Sequence, residues 1–284
     1  MRNLVLFIAL LATPPALAVE ATATNAEEAV VLADSAALNN ADLDGLMAVL
    51  APSLRIYKHS TEPHVLVGPQ SDRIGTRDQV RSFFSEAFKQ PQGRHEVLEM
   101  VSLGDLVLAH VEFQQHGETE IHQMLTGFRV RNGLVEAIWH IARVQSGSRD
   151  SGAAAEAVIR RFNQAADRND IETFLALFAP DARNFHFRSA PETLGGGPSK
   201  SITDSISRER VFRTMFAERP ARIQVLESFA VGEWVVSHDR ATQKDGAVSE
   251  GLSLYRVANG RIVDDWYLAE KKLATAGASA STVR

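Results

Sequence analysis

The stretch that decides the fold is Phe128-Arg129-Val130-Arg131-Asn132-Gly133-Leu134-Val135-Glu136-Ala137-Ile138-Trp139, echoed by Tyr255-Arg256-Val257-Ala258-Asn259-Gly260-Arg261-Ile262-Val263-Asp264-Asp265-Trp266. Each stretch sets two β-rich runs around an Asn-Gly pair. That pair favours a tight hairpin, because both turn positions want positive φ. Each ends in a tryptophan six residues after the glycine. The spacing predicts the same antiparallel hairpin twice, about 128 residues apart.

The echo extends in both directions. Ala29-Val30-Val31 recurs as Ala157-Val158-Ile159, Asp42-Leu43-Asp44 as Asp170-Ile171-Glu172, and Ala51-Pro52 as Ala179-Pro180; Gly104-Asp105 with His110 answers Gly232-Glu233 with His238. Order and offset hold across all these blocks, which predicts two homologous domains over residues 24–145 and 153–273. A small, polar linker at 146–152 joins them, and a small, polar tail covers 274–284.

Within each copy Leu43, Leu46, Met47 and Leu50, and again Ile171, Phe174, Leu175 and Phe178, fall at i, i+3, i+4 and i+7. That period predicts an amphipathic helix stopped by Pro52 or Pro180, with Asn169 capping the second. A helix precedes it. Another starts at Thr76 with a capping box completed by Gln79. Beyond it the period falls from 3.6 to 2, and four extended segments follow. Helices first and an antiparallel sheet afterwards make an α+β layer structure.

Composition narrows the function classes. The 284 residues include no cysteine, which excludes disulfides, thiolate nucleophiles and iron–sulfur clusters. A net charge of −5 supplies no drive toward nucleic acid or anionic lipid. Arg2, the apolar run Leu4 to Leu11 and Ala16-Leu17-Ala18 describe a secretory signal peptide over 1–18, too short before Pro14 and Pro15 for a membrane anchor. The expectation is a periplasmic or secreted protein with no membrane insertion.

Seven of the nine histidines lie in the first copy, only His186 and His238 in the second. Since imidazole titrates near neutrality, this asymmetry points any proton-transfer site to the first domain. Strand alternation turns His110, His122 and His140 toward faces that could converge with Tyr57 and His59; the alternative is three separately bonded histidines. His59, Glu62 and His64 lack metal-site spacing, so no metal and no cofactor is expected. Asp264-Asp265 and Lys271-Lys272 read as solvated ends of the last strand, and Arg55 as a salt-bridge partner fixing a strand start.

The order of elements resembles the nuclear transport factor 2-like superfamily. The carrying residues are A-D-L-D-G-L at 41–46, the Val65 to Gly68 run, R-x-x-V-x-x-F-F at 77–84 and F-R-V-x-N-G-x-V-x-x-x-W at 128–139. Within it the chain is most similar to the SnoaL-like and steroid-isomerase-like branches. The resemblance implies two cystatin-like cones, each three helices on a curved antiparallel sheet enclosing an apolar pocket. It also implies that the aspartate base of the isomerases is replaced by Lys58 and His186, and their tyrosine acid by Asp34 and Phe162. The cyclase aspartate of the last strand is replaced by His140 and Tyr267.

The leading expectation is therefore a protein that binds a small apolar or aromatic molecule through Tyr57, His59, Phe84, Met124 and Phe128 in one cone and His186, His238 and Tyr267 in the other. An isomerase, dehydratase or cyclase using His140, His122 and His110 is the second, and a noncatalytic assembly module the third. The two copies are expected to pair sheet to sheet through Trp139 and Trp266.

Overall fold

The computed structural model describes residues 21–62, 64–145, 152–186, 193–218 and 222–273. The stretch expected to be a signal peptide, 1–18, the expected tail at 274–284 and the expected linker up to residue 151 lie outside them.

The first domain runs α1 (Ala26–Asn39), α2 (Leu43–Val49), β1 (Leu50–Tyr57), α3 (Arg77–Ala87), β2 (Arg94–Leu103), β3 (Leu106–Gln114), β4 (Ile121–Arg131) and β5 (Leu134–Gln145). The second repeats this as α4 (Ala153–Asp167), α5 (Ile171–Ala176), β6 (Phe178–Phe185), α6 (Ser205–Glu218), β7 (Arg222–Val231), β8 (Trp234–Thr242), β9 (Val248–Ala258) and β10 (Arg261–Leu273). The five-stranded sheets have orders β1-β5-β4-β3-β2 and β6-β10-β9-β8-β7. The Asn-Gly hairpins form as expected, with Asn132, Gly133, Asn259 and Gly260 all at positive φ.

Two local expectations change. The helical run stops before its proline: Pro52 and Pro180 lie inside β1 and β6, the edge strands, each at a register shift where the missing N–H breaks no ladder bond. These strands pair in parallel with β5 and β10, so neither sheet is wholly antiparallel. The α5 cap is Asp170, whose side chain accepts from Thr173 N at 3.1 Å, because Asn169 takes a left-handed φ of 56° and makes the turn instead. At α3 the Thr76–Gln79 capping box is complete.

Each domain has its own core between helices and sheet, one around Leu46, Val80 and Phe128, the other around Ile159, Phe174 and Tyr255. A third buried layer joins the opposite faces of both sheets, with Leu108, Leu125 and Trp139 from one and Val236, Leu254 and Trp266 from the other. The arrangement is helices, sheet, sheet, helices. Trp139 and Trp266 are each 1 % exposed in this shared layer, where Trp266 stacks between Phe185 and Trp234. At this seam Asp264 receives Arg256 Nε at 2.7 Å and lies 2.6 Å from Nδ1 of His64 in the other domain.

Candidate functional site

Each domain encloses a cavity between its helices and the concave face of its sheet. The first measures about 110 Å³, the second about 220 Å³. Because the copies keep their offset, the walls correspond position by position. Leu46 answers Phe174, Phe84 answers Phe212, Asp34 answers Phe162, and His95 answers Ile223. Val111 answers Asp239, Phe128 answers Tyr255, and His140 answers Tyr267.

In the first cavity Asp34 comes from the buried face of α1, three residues after Val31, and is 6 % exposed. It takes no hydrogen bond from any described residue, and burial pushes its carboxyl up to about 7. His95 is fastened to α1: Ser35 Oγ lies 2.9 Å from its Nδ1, and Asn39 bonds both its carbonyl and its N–H. Burial, with the nearby His140, holds His95 down to about 4. Burial and His59 do the same to His140, whose buried Nδ1 has no hydrogen-bond partner among the described residues. Two neutral imidazoles and one carboxyl thus face a small space.

The second cavity is wider and more aromatic. Phe174 packs against Phe162, Phe212 and Phe216 with ring centroids 4.3 to 4.9 Å apart. One polar strip crosses it. Asp239 on β8 accepts at Oδ1 from Ser237 Oγ at 2.9 Å and Asn163 Nδ2 at 3.3 Å. Burial raises its carboxyl to about 6, with the Ser237 bond opposing the shift. Beside it burial holds the Tyr255 and Tyr267 hydroxyls well above their ordinary range, so both stay protonated.

Behind Tyr267 runs a chain of buried polar groups. The Tyr267 hydroxyl donates to Asp265, which also accepts from Asn184 Nδ2 at 3.0 Å; Asn184 Oδ1 accepts from Arg208 Nε at 3.1 Å. Burial pushes Asp265 up to about 7. Arg208, 2 % exposed, also donates to the Ala179 and Ala182 carbonyls. The corresponding residues of the first domain are Ile138, Ile56 and Val80, all buried and apolar.

The structure separates the three histidines taken together from the sequence. His140 lines the first cavity, whereas His110 points to the opposite face of the sheet, its ring stacked 6.3 Å from Phe229 of the other domain. His122 sits at the far end of β4, 3.3 Å from Glu120. Phe84, Met124 and Phe128 line the first cavity and Tyr267 the second. Tyr57 stacks on Trp139, and His59 follows β1 close enough to influence His140. His186 accepts from Lys200 N, and His238 lies 3.6 Å from Glu250.

Asp264 and Asp265, expected in solvent, are both 0 % exposed, because β10 lies between β6 and β9 and both its faces are covered. Arg55 donates to the Ser53 and Leu54 carbonyls instead of an acid. Sequence reasoning passed over Asp239, Asn163 and Tyr255, and noted Asp34 only by resemblance. Pairing the copies position by position would have found Asp239, since an acid there replaces the core residue Val111. No three His, Asp or Glu among the described residues are placed to hold a metal ion, and no described helix is long and apolar enough to cross a membrane.

Fold and cavities together define a tandem pair of pocketed α+β domains. The SnoaL-like domain family matches residues 31–138 and again 159–265, and the chain belongs to that family, in two copies. No curated protein matches the chain significantly. Among solved structures it is similar to RV0760c from Mycobacterium tuberculosis, with 18% identity over 43% of this chain and 97% of that one, TM-score 0.36. It is likewise similar to a nuclear transport factor 2-like protein from Mesorhizobium loti, with 22% identity over 43% and 96%, TM-score 0.36. A computationally designed 17-OHP binder matches at 19% identity over 42% and 95%, TM-score 0.34.

Proposed function

We propose that this is an exported binding protein for a small apolar or aromatic molecule, held in the cavity of the second domain. The observation that carries the reading is the roughly 220 Å³ space walled by Phe162, Phe174, Phe212 and Phe216. A cavity of about 150 Å³ already admits benzene, so this one has room for a ring with a short chain. Export rests on the charged start, apolar run and Ala16-Leu17-Ala18 of the first eighteen residues.

Gly251 lines the cavity, and a Cβ there has the Ala269 carbonyl as its nearest neighbour, 4.0 Å away. Gly251→Leu therefore fills the space without a backbone clash. Native mass spectrometry of the chain purified from its own host is expected to show a retained small molecule on the wild type and none on Gly251→Leu. A wild type that carries nothing and binds no aromatic probe overturns the reading. An intact mass that still includes residues 1–18 overturns the export.

A second reading, proton transfer by an isomerase, dehydratase or cyclase, is favoured by one observation. Asp239 combines a carboxyl raised to about 6 with a water-poor wall and two protonated tyrosines nearby, the setting in which a carboxylate acts as general base near neutral pH. Turnover would rise with pH through about 6 and vanish in Asp239→Asn. A rate indifferent to that substitution excludes the role.

A further inference from the structure

Four polar side chains line the first cavity: Asp34 from α1, His95 from β2, Thr126 from β4 and His140 from β5. The rest of its wall is apolar, with Leu46, Ile74, Phe84 and Phe128 among it and the thioether of Met124 as a weak acceptor. Thr126 stands directly opposite His140 across the β4–β5 ladder. Among the described residues, no hydrogen bond or ion pair joins any of the four to another. The Asp34 carboxyl and the Thr126 hydroxyl take none from any described residue, and Nδ1 of His140 is buried without one. Four groups able to make hydrogen bonds therefore face one enclosed space and leave it to a ligand to join them.

The direction of one of these bonds is fixed. Ser35, next to Asp34 on α1, donates its hydroxyl proton to the His95 carbonyl at 3.1 Å and lies 2.9 Å from Nδ1 of the same residue. Both bonds form only when Nδ1 carries the ring proton and donates to Ser35 Oγ. Nε2 of the neutral ring then keeps its lone pair and can only accept.

Charge is suppressed throughout. Burial holds the Asp34 carboxyl up to about 7, while burial, with His140 beside one ring and His59 beside the other, holds both imidazoles down to about 4. A charged ligand would meet the same desolvation penalty. A ketone or ether can accept from Asp34 but offers His95 no proton. A hydroxyl does both from one atom. The volume of about 110 Å³, set against the roughly 150 Å³ that holds benzene, suits a molecule of about four or five heavy atoms.

We propose that the cavity of the first domain is a separate binding site for a small uncharged alcohol, whose hydroxyl accepts from the Asp34 carboxyl and donates to Nε2 of His95, with Thr126 and His140 completing the polar side. It does not rest on the ligand assigned to the second domain, so either can fail alone.

The test uses 2-butanol, butanone and sec-butylamine, equal in heavy atoms and different in hydrogen bonding and charge, on the full chain at about pH 6. Each is titrated by NMR through the imidazole C–H signals of His95 and His140, which report on this cavity because no described histidine lines the other. The alcohol is expected to bind about five- to tenfold more tightly than the ketone, and the ammonium ion most weakly. Asp34→Leu should weaken the alcohol at least about fivefold. Ser35→Ala, which frees Nδ1 of His95, should bring alcohol and ketone within about twofold, whereas a merely structural role would weaken both alike; it keeps the test decisive if Asp34→Leu fails to fold. If butanone or the amine binds as tightly as 2-butanol, the hydroxyl preference is overturned. If no probe binds, or Asp34→Leu leaves the alcohol unaffected, the site itself falls.

Discussion

The two cavities occupy the same place in the same fold, yet differ in almost every group able to carry a proton. In the first, Asp34, His95 and His140 surround about 110 Å³. In the second those positions hold Phe162, Ile223 and Tyr267, and the acid moves to Asp239 on the opposite wall of a space twice as large. The helix–sheet scaffold tolerates either set because its stability comes from three apolar layers, to which the cavity walls themselves contribute residues such as Leu46 and Phe128 in one domain and Phe174 and Tyr255 in the other. Duplication thus frees the pocket chemistry of one copy from that of the other.

The comparison breaks most visibly at the aromatic box. Phe174→Ala removes a ring touching Phe162, Phe212 and Phe216 and is expected to cost about 3–5 kcal/mol, more than Leu46→Ala at the matching position. Urea denaturation followed by tryptophan fluorescence measures both. Equal losses would mean that the rings act only as bulk.

The buried polar chain gives a contrast of sign. Arg208→Val alone strands Asn184 and Asp265 and should destabilise by about 3–5 kcal/mol. Giving the second domain the first domain's trio, with Arg208→Val, Asn184→Ile and Asp265→Ile together, should be neutral or stabilising by about 1–4 kcal/mol. A triple variant weaker than the single would show that the chain holds the fold together.

The two domains are also expected to answer pH in opposite directions. Asp239 and Asp265 titrate near 6 and 7 when folded, against about 4 unfolded, so the native second domain binds two more protons between pH 4.5 and 6 and loses stability as pH rises. In the first domain His95 and His140 titrate near 4 when folded, against about 6.5 unfolded. Their contribution is present above 6.5 and lost as pH falls. Asp34, raised to about 7, opposes them with one proton against two, so the net stability of this domain rises with pH over the same window. Each net proton is worth about 1.4 kcal/mol per pH unit. Hydrogen exchange resolved by peptide reads the domains separately, and parallel responses would contradict the assignment.

At the small end, Thr76→Ala removes a capping box from α3, whose counterpart α6 is closed by the same reciprocal bonds, made there by Asp204 and Ser207. A loss of about 1 kcal/mol, confined to the first domain by hydrogen exchange, is the expected result.

Much of the fold was legible in the sequence because the same patterns occur twice. Asn132-Gly133 and Asn259-Gly260 dictate hairpins by backbone conformation alone, and the Leu43 and Ile171 runs show helical periodicity. The prolines misled because a helix stop and an edge strand look alike locally; only the pairing of β1 with β5 tells them apart. The site was less legible. His110 and His140 lie on opposite faces of one sheet, separated by register shifts that no alternation rule anticipates. Asp264 and Asp265 look like a solvated pair until strands on both sides and layers on both faces enclose them.

The sequence by itself determined that one α+β unit was made twice, since local turn chemistry and periodicity require only neighbouring residues. Which cavity carries which chemistry was decided by tertiary structure. Burial sets whether an acid such as Asp239 keeps its proton, and burial depends on side chains such as Phe162 and Phe216 that arrive from helices far away in the chain.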